Sequence, residues 1–254
     1  MSDEHVVDKI ITTFHFNTCR LRLQPRKHAG QAAMLCASVA SHHPPDVVED
    51  VKRIPLTTGS VAEFYIEPML PHVGDVDVMV HFDSELAIQR GHPPPTQLSA
   101  EFSRPNNVRV FEISDSHWSG YVYLELRYLL TKCTVSGTYY NIEYKERGFH
   151  LHFVGIDGVT MHGPAVLMRK KYEHQLSVDR VYCVCCLSWP LQASNWPLRH
   201  KNNGWPDSAT IDYIVSDGCA LVQIAHRQCK RDKWMSTHQW RLSFSRAEII
   251  LLNS

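Results

Sequence analysis

Short runs of β-branched, aromatic and other apolar residues recur along the chain between Gly, Pro and polar punctuation, and such runs read as strands. They cover residues 75–82, 108–113, 121–130, 139–144, 149–154, 165–168, 178–187, 210–215, 221–225 and 240–244. Residues 159–164, with two Gly/Pro punctuators, read as the turn before the 165–168 strand. Helical character is confined to a few places. Residues 29–42 have helix-favouring composition and stop at Pro44-Pro45. Asp46 then caps a short helix through Val47, Val48, Val51 and Ile54, ended by Pro55. Residues 1–28 give no clear period. The stretch 91–105, rich in proline, reads as an exposed loop. Trp189-Pro190, Trp196-Pro197 and Trp205-Pro206 punctuate a long aromatic loop that packs as a rigid lid. At the end, Ser245-Arg246-Ala247-Glu248 is a capping box ahead of Ile249-Ile250-Leu251-Leu252.

The chemistry concentrates between Thr57 and Asp83. Asp75 and Asp77 lie two apart in one strand, so both project to one face, roughly 6.5–7 Å apart. Two such carboxylates repel unless a cation sits between them, and divalent ions satisfy that need. Upstream, Gly59-Ser60 offers close backbone approach, exposed N–H groups and a hydroxyl, which suit phosphate oxygens. Gly-Ser followed by a same-face Asp-x-Asp strand is the pattern of polymerase-β-type nucleotidyltransferases. The plainer reading of these residues is a tight turn leading into an acidic strand edge. Two-metal transfer requires a third carboxylate on a neighbouring strand. Asp179, inside the otherwise apolar 178–187 run, is the candidate, because a carboxylate there is costly unless paired or metal-bound.

Composition narrows the classes. At 254 residues, with 44% hydrophobic and 20% charged residues, the chain can bury a sizeable globular core. Formal charge is zero, so nucleic-acid binding would need a local patch rather than a global field. No apolar run approaches the roughly 18–20 residues of a membrane span. The acidic N-terminus lacks signal-peptide features, and eight cysteines without such a signal point to free thiols in the cytoplasm.

Several motifs now fall in a recognisable order. They are Thr58-Gly59-Ser60, Asp75-Val76-Asp77-Val78-Met79, Gly163-Pro164-Ala165-Val166, Ser177-Val178-Asp179, Leu187-Ser188-Trp189-Pro190 and Trp240-Arg241-Leu242-Ser243-Phe244-Ser245. Over residues 50–254 the chain resembles the cGAS-like receptors, Mab-domain relatives of cyclic GMP-AMP synthase, and most of all the invertebrate members. The resemblance implies an α/β (α+β) nucleotidyltransferase core: a mixed, twisted sheet with the aspartates on one face and helices on the other. It implies Asp75, Asp77 and Asp179 as ligands of Mg²⁺ or Mn²⁺ and as the catalytic carboxylates. It implies Gly59 and Ser60 on the donor triphosphate, and Arg241 on nucleotide. ATP and GTP would be the substrates, a cyclic dinucleotide the product, and double-stranded RNA or DNA the trigger in innate immune sensing. Residues 1–55 would form the spine-helix region and residues 56–254 the core, with a helical lobe expected beyond Ser254. A catalytically silent Mab-domain module that binds nucleotide or a partner is the alternative.

Other constellations are weaker. Cys183 and Cys185 share a strand face, but no second Cys/His pair has zinc-finger spacing, so buried thiols are the simpler account. Arg169-Lys170-Lys171, and Arg227 with Lys230, Arg231 and Lys233, form two basic clusters that either track a phosphate backbone or are solvated loop charge.

Overall fold

The computed structural model describes residues 53–58, 75–102, 105–143, 160–162, 165–168, 177–199, 204–229, 235, 238–252 and 254. Eleven strands dominate: β1 (Arg53–Thr58), β2 (Asp75–Phe82), β3 (Glu85–Gln89), β4 (Asn107–Asp115), β5 (Tyr121–Lys132), β6 (Tyr139–Glu143), β7 (Thr160–His162), β8 (Ala165–Met168), β9 (Ser177–Cys186), β10 (Cys219–Gln223) and β11 (Gln239–Ser243). Two helices are described, α1 (Ser208–Asp217) and α2 (Ser245–Leu252).

The sheet is mixed, as a βα-rich nucleotidyltransferase core requires. β2 and β3 run parallel to β9, and the hairpin-type neighbours β1–β2, β4–β5 and β10–β11 are antiparallel. Following the ladders from β9 through β10, β11, β5, β4 and β3 returns to β9. Six strands therefore close on themselves. Ladder partners share a face, so one residue in two along each strand points inside. Ala87, Phe111, Ile113, Val122, Leu124, Val184, Cys186, Cys219, Leu221, Trp240 and Leu242 fill that interior. Closure removes the unpaired edges that an open sheet would expose.

A second apolar layer lies outside. Leu86, Ile88, Val108, Val110, Leu130, Tyr139 and Cys185 pack around Phe102, which the 90–106 loop tucks against the wall. Tyr139 fixes that loop by donating its hydroxyl to the carbonyl of Pro105 at 2.8 Å. In the aromatic loop Trp189 packs against Trp196 and Phe244 at 5.2 Å between ring centroids in both cases, whereas Trp205 is exposed.

Four expectations need correction. Residues 210–215 are the middle of helix α1, because the Asp207 carboxylate caps it by accepting the Thr210 N–H at 2.7 Å and Gly218 stops it. Ile54 and Pro55 belong to strand β1, paired with His81 and Val80, so the helix expected to run through Ile54 cannot include it, and β1 straddles the 55/56 boundary. Residues 160–162 form a strand paired to β8 rather than a simple turn. Helix α2 contacts both β1 and β10 and so crosses the face that carries Asp77, not the opposite one. Barrel closure explains the last point: the inner face of β9–β10 is already filled, leaving the outer face for the helix. At the start of α2 the Glu248 N–H bonds to the Phe244 carbonyl, and the Ser245 hydroxyl lies 3.2 Å from that of Ser243. Residues 29–42 and 149–154 lie outside the described residues.

Candidate active site

β2 and β9 run side by side in parallel register. Asp77 is the ladder partner of Asp179, and Asp75 that of Ser177. Neighbouring strands are about 4.8 Å apart and partners share a face, so the backbones bring Asp77 and Asp179 next to each other. β1 adds Thr58 on the far side of Asp77, and β8 adds Leu167 on the far side of Asp179. One row across the sheet thus reads Thr58, Asp77, Asp179, Leu167. The chain leaves β1 at Thr58 directly into Gly59-Ser60, which lie outside the described residues. Asp75 has its backbone, but not its side chain, among them.

Asp179 is half-buried. Its Oδ1 is buried, and no group among the described residues donates to it. A buried carboxylate oxygen without a donor costs about 1–3 kcal/mol or more, and a second carboxylate on the adjacent strand adds repulsion. A hard divalent cation relieves both, since Mg²⁺ and Mn²⁺ prefer carboxylate oxygens. The donor set therefore fits such an ion. Among the described residues no three His, Cys, Asp or Glu side chains converge as a complete cation cage.

Farther along the same face come Met79 and Val181, then Cys183 and Ala220, an apolar cluster under α2. Ser243 donates to the Met79 sulfur at 3.9 Å, and Arg246 clamps Asp217 through two bonds of 2.7 and 2.6 Å, tying α2 to α1. Arg241 is exposed on β11, between Val222 on β10 and Tyr121 on β5. It shares the Asp179 face but sits about four residues along and two strands across, roughly 13 Å by 10 Å. Beside it Tyr121 meets His226 edge-on, and His226 stacks on Trp118 at 4.1 Å between centroids. Arg227 is exposed in a 3-10 turn next to that stack; Lys230, Arg231 and Lys233 lie outside the described residues, as does Arg169-Lys170-Lys171.

His81 went unnoticed in the sequence, although it continues the alternation Asp77, Met79, His81. It is buried, its Nε2 lies 2.6 Å from Glu101 and its Nδ1 3.3 Å from the Phe82 carbonyl. Both ring nitrogens face acceptors, so the ring is held as imidazolium. Burial opposes that charge, but Cys185 and Glu101 overcome it and raise the His81 pKa to about 10. No sequence signal paired it with Glu101, which arrives from the 90–106 loop.

With this geometry in place, the family model for the Mab-21 protein nucleotidyltransferase domain matches residues 107–254, more than half of the chain. The chain belongs to the Mab-21 nucleotidyltransferase family. The match contains Asp179, Arg241, the barrel wall from β4 to β11 and both helices. Asp75 and Asp77 precede it, and it is the β2–β9 ladder that connects them to the matched segment. No described helix is long and apolar enough to cross a membrane.

Proposed function

We propose that this Mab-21 family chain is a metal-dependent nucleotidyltransferase of the cGAS-like receptor type, joining ATP and/or GTP into a cyclic dinucleotide. The observation that supports this reading is the ladder pairing of Asp77 with Asp179, whose Oδ1 is buried without a donor among the described residues. Mg²⁺ or Mn²⁺, when bound, would neutralise the donor phosphates and lower the pKa of the attacking ribose hydroxyl. Asp75, Asp77 and Asp179 would be its ligands. Asp179, between Asp77 and Leu167 in the row, would orient the attacking hydroxyl. Gly59 and Ser60 follow immediately after Thr58 and would cradle the triphosphate beside Asp77. Exposed Arg241 would reach the nucleotide from the far end of the same face. Arg227, with Lys230, Arg231 and Lys233, would contact a double-stranded RNA or DNA activator through its phosphates. The site would act in innate immune sensing within the cytoplasm.

The test is incubation with labelled ATP and GTP, Mg²⁺ or Mn²⁺, and a panel of double-stranded RNA and DNA. A cyclic dinucleotide, released with pyrophosphate and lost in Asp77→Asn and Asp179→Asn, is the expected result. Metal-dependent nucleotide binding without product under every condition would replace it with the silent binding-module reading.

A further inference from the structure

β9 and β10 carry four buried cysteines, Cys183, Cys185, Cys186 and Cys219. Alternation along β9 turns Cys183 and Cys185 outward and Cys186 into the barrel. The ladder decides which of them has a thiol across from it. Val222 stands opposite Cys183 and Ala220 opposite Cys185, whereas Cys219 stands opposite Cys186.

Partner Cα atoms in an antiparallel ladder are about 4.5–5.5 Å apart, inside the range of roughly 4.4–6.8 Å that a disulfide spans. Cys186 and Cys219 both belong to the buried cluster that fills the interior. Cys183 and Cys185 stand parallel on one strand about 6.6 Å apart, and bridging them would distort the backbone. Position favours the first pair as well. Cys186 is the last residue of β9 and Cys219 the first of β10, so the two lie at the barrel rim.

The pair is chemically unequal. Gln89 Nε2 donates to the Cys186 sulfur at 3.9 Å, the Cys186 thiol donates to the Ser188 carbonyl at 3.2 Å, and its sulfur lies 3.7 Å from the Ser188 hydroxyl. The neighbouring Cys219 thiol, working against burial, holds the Cys186 pKa below the usual thiol range. The Cys186 neighbour, together with burial, pushes Cys219 up. Within this pair Cys186 is therefore the better nucleophile and Cys219 the resolving group, and both are almost fully buried, at 1% exposure each.

We propose that Cys186 and Cys219 form a reversible dithiol–disulfide couple at the barrel rim, closed by hydrogen peroxide. The Cys186 thiolate attacks one peroxide oxygen, the O–O bond breaks, and the leaving hydroxide takes a proton to become water. Cys186 is then a sulfenic acid. The Cys219 sulfur attacks the Cys186 sulfur, the S–O bond breaks, and the departing oxygen leaves as water with the Cys219 proton. Two thiols and one peroxide become one disulfide and two waters. The bridge fastens β9, the strand of Asp179, to β10 beside the end of α1. It is independent of nucleotidyl transfer.

Peptide mapping tests it. Native protein is treated with hydrogen peroxide, blocked with N-ethylmaleimide and digested without reductant. The expected product is a dominant peptide pair linked through Cys186 and Cys219, lighter by two hydrogen atoms and separated by dithiothreitol. In Cys219→Ser, dimedone is expected to label Cys186, and in Cys186→Ser to leave Cys219 unlabelled. Alkylation of both residues after peroxide, a dominant Cys183–Cys185 or other bridge, or a link formed only in denaturant overturns the proposal. The wild-type map decides the question even where a serine variant fails to fold.

Discussion

Asp179 holds a buried oxygen for which the described residues offer no donor, on the strand beside Asp77, and an arrangement of that kind costs folding energy. Stability and binding should therefore respond oppositely to its removal. In chelator, Asp179→Asn is expected to stabilise the protein by about 1 kcal/mol, a melting rise of a few degrees. Added Mg²⁺ or Mn²⁺ should then raise the melting temperature of the wild type and leave the variant unmoved. A variant less stable in chelator, or equally stabilised by metal, would refute this account of the site. Asp-x-Asp was legible in sequence because a two-residue period fixes a shared face whatever the strand later pairs with. Placing Asp179 beside Asp77 was not derivable that way, since it depends on a ladder between segments about a hundred residues apart. His81 was hidden for a related reason: its state depends on Glu101 from a distant loop. The His81 bond, opposed by burial, holds the Glu101 carboxyl below its ordinary 4.5. A lowered carboxylate contributes stability above its unfolded value and loses it as pH falls through the folded one. Wild type should thus exceed Glu101→Gln in urea unfolding above pH 4.5, with the gap closing below it. A gap constant through that range would mean that the ion pair carries no linkage.

Among the elements, α1 shows most clearly how local sequence can mislead. Thr210, Ile211, Asp212, Tyr213, Ile214 and Val215 are mostly strand-favouring residues, yet they form a helix. Asp207 and Gly218 decide the matter from outside the run, while Ile211 and Ile214, three apart, supply the buried stripe. Gly218 is irreplaceable on two counts. Its φ is +77°, and a Cβ there would meet the Cys186 carbonyl oxygen at 2.0 Å. Gly218→Ala should cost about 3 kcal/mol or more, because backbone on the β9 side would have to move. Asp207→Ala, which removes one cap bond and moves nothing, should cost only about 1 kcal/mol. Chemical denaturation of both variants checks the ranking, and equal costs would contradict it. Strands β2, β4, β5, β9, β10 and β11 were readable because their runs are long, β-branched and bounded by clear punctuation. Helix boundaries depended on single capping residues, and which face the helices cover depended on ring closure. Neither leaves a period in the sequence.

At the scale of the whole molecule, β9 is the strand on which the two parts of the sheet depend. Its first half lies between β2 and β8, and its second half pairs with β10 and β3. It carries Asp179 in the first part and the Cys186 wall of the barrel in the second, so the candidate site and the closed core share one backbone. Opening β9 breaks ladders on both sides at once, which ties its exposure to global unfolding. β6 is the contrast, because it pairs with β5 alone and exposes Tyr140 and Ile142. Hydrogen exchange followed by mass spectrometry should therefore rank peptides from residues 179–186 among the slowest and those from residues 140–143 among the fastest, with the 179–186 set exchanging only at the global unfolding rate. Should β9 exchange as readily as β6, the closed ring would be opening on its own. The carboxylate pair would then rest on a mobile strand rather than on the most constrained one in the fold.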